Sequence, residues 1–183
     1  MIKSNRTFSI AKLKNNIKIV DSFISNEKKN LIILTSIGRI FKFNLSNKNF
    51  LKATTKQSQG LMLAKLLPRE KIVSCCQYKN GDNIYLVSKQ GIIFCINSNE
   101  IYNANEYSLG FINEKIQLKN DHFIKILPSS HYLDIETNKN KSARLNLEKL
   151  NFKSHKTNFL NDFLKLEKDE HIENSFRLVN FFD

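Results

Sequence analysis

Nothing in the 183-residue sequence approaches the ~20 uninterrupted apolar residues of a membrane-spanning helix, and the N-terminal MIKSNRTFSIAKLK lacks the apolar core of a secretory signal. Both absences favour a cytoplasmic, non-membrane protein. The three cysteines, Cys75, Cys76 and Cys95, are odd in number and two are adjacent, so neither a disulfide framework nor a C-x-x-C zinc pair can be drawn. His122, His131, His155 and His171 lack the i, i+4 spacing of a helical zinc pair and have no cysteine partner nearby, so they read as surface or hydrogen-bonding side chains. The chain has no G-x-x-x-x-G-K-S/T loop to cradle a nucleotide. No cofactor or metal is therefore expected. Tryptophan is absent, and glycine and proline number only 5 and 2, which leaves no linker or low-complexity tract to divide the chain.

What is present is an ordinary globular balance, 41% hydrophobic and 25% charged, enough for one domain with a core. Lysine and arginine outnumber the acids 29 to 17, and a net charge of +12 points toward a polyanion. The excess is polarised. Residues 1–30 carry +5, residues 31–83 carry +7, and the remaining two stretches, 84–131 and 132–183, balance to zero. A surface that tracks phosphates produces such a distribution, whereas charges kept for solubility would be scattered.

The pattern beneath the charge is a repeat. LTSIGRIFKFNL at residues 34–45 returns as LVSKQGIIFCIN at 86–97, placing Thr35 with Ser88 and Gly38 with Gly91 at a spacing of 53, and a third copy brings Thr137 and Asn140. Asparagine is the residue after glycine that best tolerates the positive φ of a tight hairpin turn. A second element follows each hairpin, an apolar run and a polar turn in which Leu67, Leu118 and Leu166 correspond, as do Glu70, Asp121 and Asp169. The acids read as turn residues that cap backbone N–H groups. FSIAKLKNNIKIVDSF supplies a leading half-copy with Leu13 in the leucine position. Each unit holds about four short strands of alternating apolar residues, as in propeller-like folds. NLEKLNFKSHKTNFLNDFLKLEKDEH has helical Leu/Phe spacing, but the repeat favours strands there.

The order T/S-x-x-G-x-I, a glycine, then an apolar run into L-x-x-D/E resembles the blades of the C-terminal domain of DNA gyrase A and of its counterpart in topoisomerase IV. The match is most specific from LIILTSIGRIFKF through TKQSQGLMLAKLLPREKIV to NIYLVSKQGIIF, and covers most of residues 8–147. The resemblance implies an all-β β-pinwheel of about three four-stranded blades and a leading half blade: 1–30 partial, 31–83, 84–131, and a degenerate last blade at 132–183. It implies DNA wrapping, double-stranded DNA as partner, a nucleoid-associated location, and association with a topoisomerase catalytic core and its ATPase subunit. The gyrase box of the form Q-R-R-G-G-K-G is not present; KQSQG at Lys56–Gly60 is its nearest counterpart.

Strand cleavage in that family uses a tyrosine directly after an arginine. Tyr78, Tyr85, Tyr102, Tyr107 and Tyr132 follow Gln, Ile, Ile, Glu and His, so no catalysis is expected from this chain alone. The candidate DNA contacts are Lys12 and Lys14, Arg39 and Lys42 around the first hairpin, Lys52 and Lys56 in the following segment, then Lys65, Arg69, Lys71 and Lys89. Lysines outnumber arginines among them, which favours backbone contact over base reading. A propeller-like protein-interaction scaffold is the alternative reading.

Overall fold

The computed structural model describes residues 17–23, 29–45, 62–104, 109–114, 116, 118–128, 132–150, 156–158 and 166–177. Within them lie ten strands: β1 (Asn30–Thr35), β2 (Ile40–Asn44), β3 (Ile72–Tyr78), β4 (Asn83–Ser88), β5 (Ile92–Asn97), β6 (Phe123–Pro128), β7 (Tyr132–Thr137), β8 (Ser142–Asn146), β9 (Lys156–Asn158) and β10 (Ile172–Arg177). Two single 3-10 turns, Ser98–Glu100 and Leu147–Lys149, are the only helical elements among the described residues. No helix there is long and apolar enough to cross a membrane. The fold is all-β, and the described part of the stretch with helical spacing holds the second 3-10 turn, β9 and a tight turn.

Three hairpins, β1–β2, β4–β5 and β7–β8, share one turn chemistry. The last residue of each first strand, Thr35, Ser88 or Thr137, is fully buried. Its carbonyl accepts from the N–H three residues on, that of Gly38, Gly91 or Asn140, at 3.0, 3.1 and 2.9 Å. Its hydroxyl accepts from the next N–H, of Arg39, Ile92 or Lys141. The third turn residue has φ of 88° at Gly38, 79° at Gly91 and 60° at Asn140, so asparagine does stand in for glycine.

A third strand joins each hairpin on the side of its first strand, giving the orders β2-β1-β3, β6-β4-β5 and β10-β7-β8. All three junctions carry a register shift at the same place, with Val73, Ile124 or Glu173 as the extra residue. Such bulges bend the strand and sharpen its twist.

The fourth strand does not come from its own unit. β9, which follows the third hairpin, pairs with β5 of the second, from Ile92↔Asn158 to Phe94↔Lys156. The corresponding stretch of the second unit runs beside β2: Ala104 N–H donates to the Lys42 carbonyl at 2.7 Å, and Ile40 and Phe111 exchange both backbone bonds. Two outer edges are thus closed by the unit that follows.

Period-2 alternation then builds three apolar clusters, two of them on either side of β4. Ile84 and Leu86 of β4 face the first unit, packing with Ile32, Leu34, Ile126 and the Phe94–Phe123 ring pair at 5.7 Å. Tyr85 and Val87 face the third, against Leu133, Ile135, Leu145 and Ile172. Buried on both faces, β4 reads as a continuous apolar run, IYLV. Each such side chain contributes about 1.5–3 kcal/mol. Two backbone bonds stitch neighbours together: Phe123 N–H to the Ser36 carbonyl, and Ile172 N–H to that of Lys89.

Candidate nucleic-acid interface

The polar turn that enters each third strand has a left-handed residue, Arg69 (φ 65°), Asn120 (54°) or Asp169 (66°), and the residue after it is an acid: Glu70, Asp121 or Glu170. This corrects the register of the third unit by one. Asp169 is not the counterpart of Glu70; it occupies the positive-φ position, which aspartate tolerates, and Glu167 rather than Leu166 stands in the leucine position. The hydrogen bonds agree, since Glu70 accepts from Leu67 N–H at 2.7 Å and Glu170 from Glu167 N–H at 2.9 Å. Asp121 accepts from the N–H groups of Gln90 and His122, as a capping turn residue does.

Two of the three acids hold a cation from their own hairpin, a feature the sequence reading missed. Arg39 Nε donates to Glu70 at 2.7 Å, its Nη2 bonds the second carboxylate oxygen, and the guanidinium also donates to the carbonyls of Leu109 and Lys65. Arg39 is 1% exposed. It is therefore unavailable to a surface ligand, a correction to its place among the DNA contacts. Burial pushes the Glu70 carboxyl up, but hydrogen bonds from Arg39, Leu67 N–H and Thr35 outweigh it and hold the group below the usual carboxylate range. In the third unit Lys141 takes the same position and donates to Glu170 at 2.9 Å, while the Thr137 hydroxyl donates at 2.8 Å. The Glu167 N–H and Lys141, with Thr137, hold the Glu170 carboxyl down to about 2 against burial. The second unit has Ile92 there, and the buried Oδ2 of its shorter acid, Asp121, has no hydrogen-bond partner among the described residues. The signal was a cation four residues after Thr35 and Thr137, with an acid about 30 residues later.

Lys42 also turns inward. Its ammonium donates to the carbonyls of Ser98 and Ile101 at 2.9 and 3.1 Å, and burial lowers its pKa. Lys42 is the second candidate that the fold removes from the surface. Lys65, Arg69 and Lys71 are exposed and Lys89 is half-buried, whereas Lys12, Lys14, Lys52 and Lys56 lie outside the described residues.

The fold brings Arg69, Lys71 and Lys89 to the end where hairpin tips meet the acid turns. Ser36 N–H donates to the Lys71 carbonyl at 2.8 Å, Lys89 N–H to that of His122 at 2.9 Å, and Asn138 N–H to that of His171 at 3.1 Å. The residue after the acid is thus pinned alike in every unit, and it is basic each time. Lys18, Arg69, Lys71 and His122 line a groove of about 780 Å³ with Ile37 and Phe123. The one-residue slip in the third unit hid this position, because it matched His122 with Glu170.

The described residues hold no group of three or more His, Cys, Asp or Glu side chains placed to bind a metal. Cys75, Cys76 and Cys95 are reduced thiols, and burial, with Asp21 adding to it, pushes the Cys75 thiol up to about 11, as befits an unreactive strand residue.

No family model and no curated protein matches the chain. Solved structures do. The C-terminal domain of DNA topoisomerase IV aligns over 92% of this chain and 52% of its own, with a TM-score of 0.72 at 13% identity. The DNA gyrase A C-terminal domain aligns over 84% and 50%, with a TM-score of 0.63 at 19% identity. The E. coli ParC C-terminal domain gives 84% and 64%, a TM-score of 0.54 and 12% identity. At these identities the likeness is one of fold. The chain has the β-pinwheel fold of those domains and spans between half and two thirds of their length.

Proposed function

We propose that the chain is a DNA-binding and DNA-wrapping module of a type II DNA topoisomerase, working with a catalytic core and an ATP-hydrolysing subunit that it does not itself supply. The observation that carries this reading is a gyrase A-like fold combined with a +12 charge confined to the first 83 residues. The exposed part of that charge includes Lys65, Arg69 and Lys71, with Arg69 and Lys71 on one groove. Contacts would be to phosphates, since the described residues hold no recognition helix presenting arginine with asparagine or glutamine.

Duplex DNA binding measured across salt concentrations tests this. A footprint of about six phosphates gives a slope of log K against log salt near −5, from ~0.9 per phosphate. K65E/K71E should weaken binding far more than K149E/K168E, although both remove and reverse the same charge. Equal losses would reduce the protein to an unspecific polycation. Affinity that ignores salt would favour the scaffold reading, which the exposed Met62, Tyr102, Leu109 and Ile112 side chains would then serve.

A further inference from the structure

The position after each turn acid recurs as Lys71, His122 and His171. A hairpin N–H holds each backbone in place, and the acid beside each bonds within its own unit, although the Asp121 Oδ2 has no partner among the described residues. Arg39 occupies Glu70, Lys141 and Thr137 occupy Glu170, and the N–H groups of Gln90 and His122 occupy one oxygen of Asp121. Glu70 and Glu170 are buried, whereas Asp121 is half-buried and lines the groove beside His122. Lys71 and His122 are exposed and His171 half-buried, so each turn presents one basic side chain at this position, beside the exposed Glu167 and Asp169 in the third.

We propose that Lys71, His122 and His171 form one row of phosphate-contact positions, one per unit, and that DNA binding by this chain is therefore coupled to proton uptake. The inference rests on the DNA-binding reading and deepens it. Imidazole is the side chain whose charge changes between about pH 5 and 8, so two of the three positions contact phosphate fully only when protonated.

The surroundings set the sign. Lys18, Arg69 and Lys71 share the groove with His122, Lys89 lies on the adjoining hairpin tip, and Asp121 is the acid on its own turn. These cations suit the groove to a phosphate. His171 lies between Lys139 and Lys141 of its hairpin, Glu167, Lys168, Asp169 and Glu170 of its turn, Glu173 of β10, and the Lys89 carbonyl that receives Ile172 N–H. A bound phosphate favours the charged ring at both sites. Binding therefore tightens as pH falls through the imidazole range and is flat above it.

The test is fluorescence anisotropy of a labelled random-sequence duplex with the intact chain, titrated in salt at pH 5.5 and 7.5, with circular dichroism confirming the fold at both. The salt slope should be steeper at pH 5.5 by about 1.8, from two added contacts of ~0.9 each. H122Q/H171Q should abolish that difference, and K71Q should shallow the slope by about 0.9 at both pH values. Equal slopes in the native protein, or a difference that survives H122Q/H171Q, would overturn the proton-linked row and leave the DNA-binding reading standing. Folded protein that binds no duplex at either pH would defeat that reading itself.

Discussion

Arg39 and Glu70 offer the sharpest test of how the first unit is held together. Both are almost fully enclosed, and Arg39→Ile leaves a carboxylate with neither its cation nor access to water, while Glu70→Gln leaves an unpaired guanidinium. Breaking a buried pair by removing one partner costs about 3–5 kcal/mol. At roughly 2–4 °C per kcal/mol for a chain of this size, each single variant should lower Tm by about 6–20 °C. The double variant R39I/E70Q removes both charges and resembles the second unit, where Ile92 occupies the arginine position. It should recover much of the loss, with a coupling energy of about 2 kcal/mol or more in denaturant unfolding followed by circular dichroism. Because the folded Glu70 pKa is depressed, its contribution is present above the unfolded carboxylate range and fades as pH falls through the folded value. The gap between the native protein and E70Q should therefore close in acid. Below its melting range R39I should bind DNA as the native protein does. Additive single-variant losses would refute the pairing, and a folded R39I that binds DNA weakly would return Arg39 to the surface.

Two further expectations follow from local geometry. A Cβ on Gly38 (φ 88°) would sit 2.7 Å from the Phe123 ring, whereas one on Gly81 (φ 87°) meets nothing within 4 Å. Both alanine variants carry left-handed strain of about 1–2 kcal/mol, and G38A should cost about 1–3 kcal/mol more from overpacking; equal losses would show that the ring moves freely. Glu170, held down to about 2, supplies stability that is whole above the ordinary carboxylate range and is lost as pH falls toward that value, so E170Q should flatten acid unfolding between about pH 4 and 2. An unchanged acid transition would mean that other carboxylates control it.

The hairpins were legible because their determinants are local. A buried hydroxyl, a left-handed residue three positions on and the N–H after it fall within five residues, so Thr35, Ser88 and Thr137 declare the turn by themselves. The acid turns were legible only in part. LEKDEH offers adjacent acids, and spacing alone cannot tell which takes positive φ and which turns inward. Arg39 and Lys42 were misplaced because charge was read as exposure. A long side chain can be buried when distant backbone supplies its acceptors, and the carbonyls of Lys65, Leu109, Ser98 and Ile101 do so from 26 to 70 positions away. β9 was likewise invisible, since nothing local to Lys156–Asn158 names β5 as its neighbour.

That borrowed strand bears on how the chain folds. The hairpins close over a few residues and can form early, but Ile92 and Asn158 are 66 positions apart, and closing a loop of that length costs roughly 4 kcal/mol of chain entropy. Until β9 arrives, β5 keeps an unpaired edge beside a largely apolar strand, IIFCIN, the arrangement most prone to recruit another chain. The lag between early hairpins and late edge closure is thus the interval in which concentration decides between native protein and aggregate. A nascent second unit stays exposed in this way until most of the third has been synthesised.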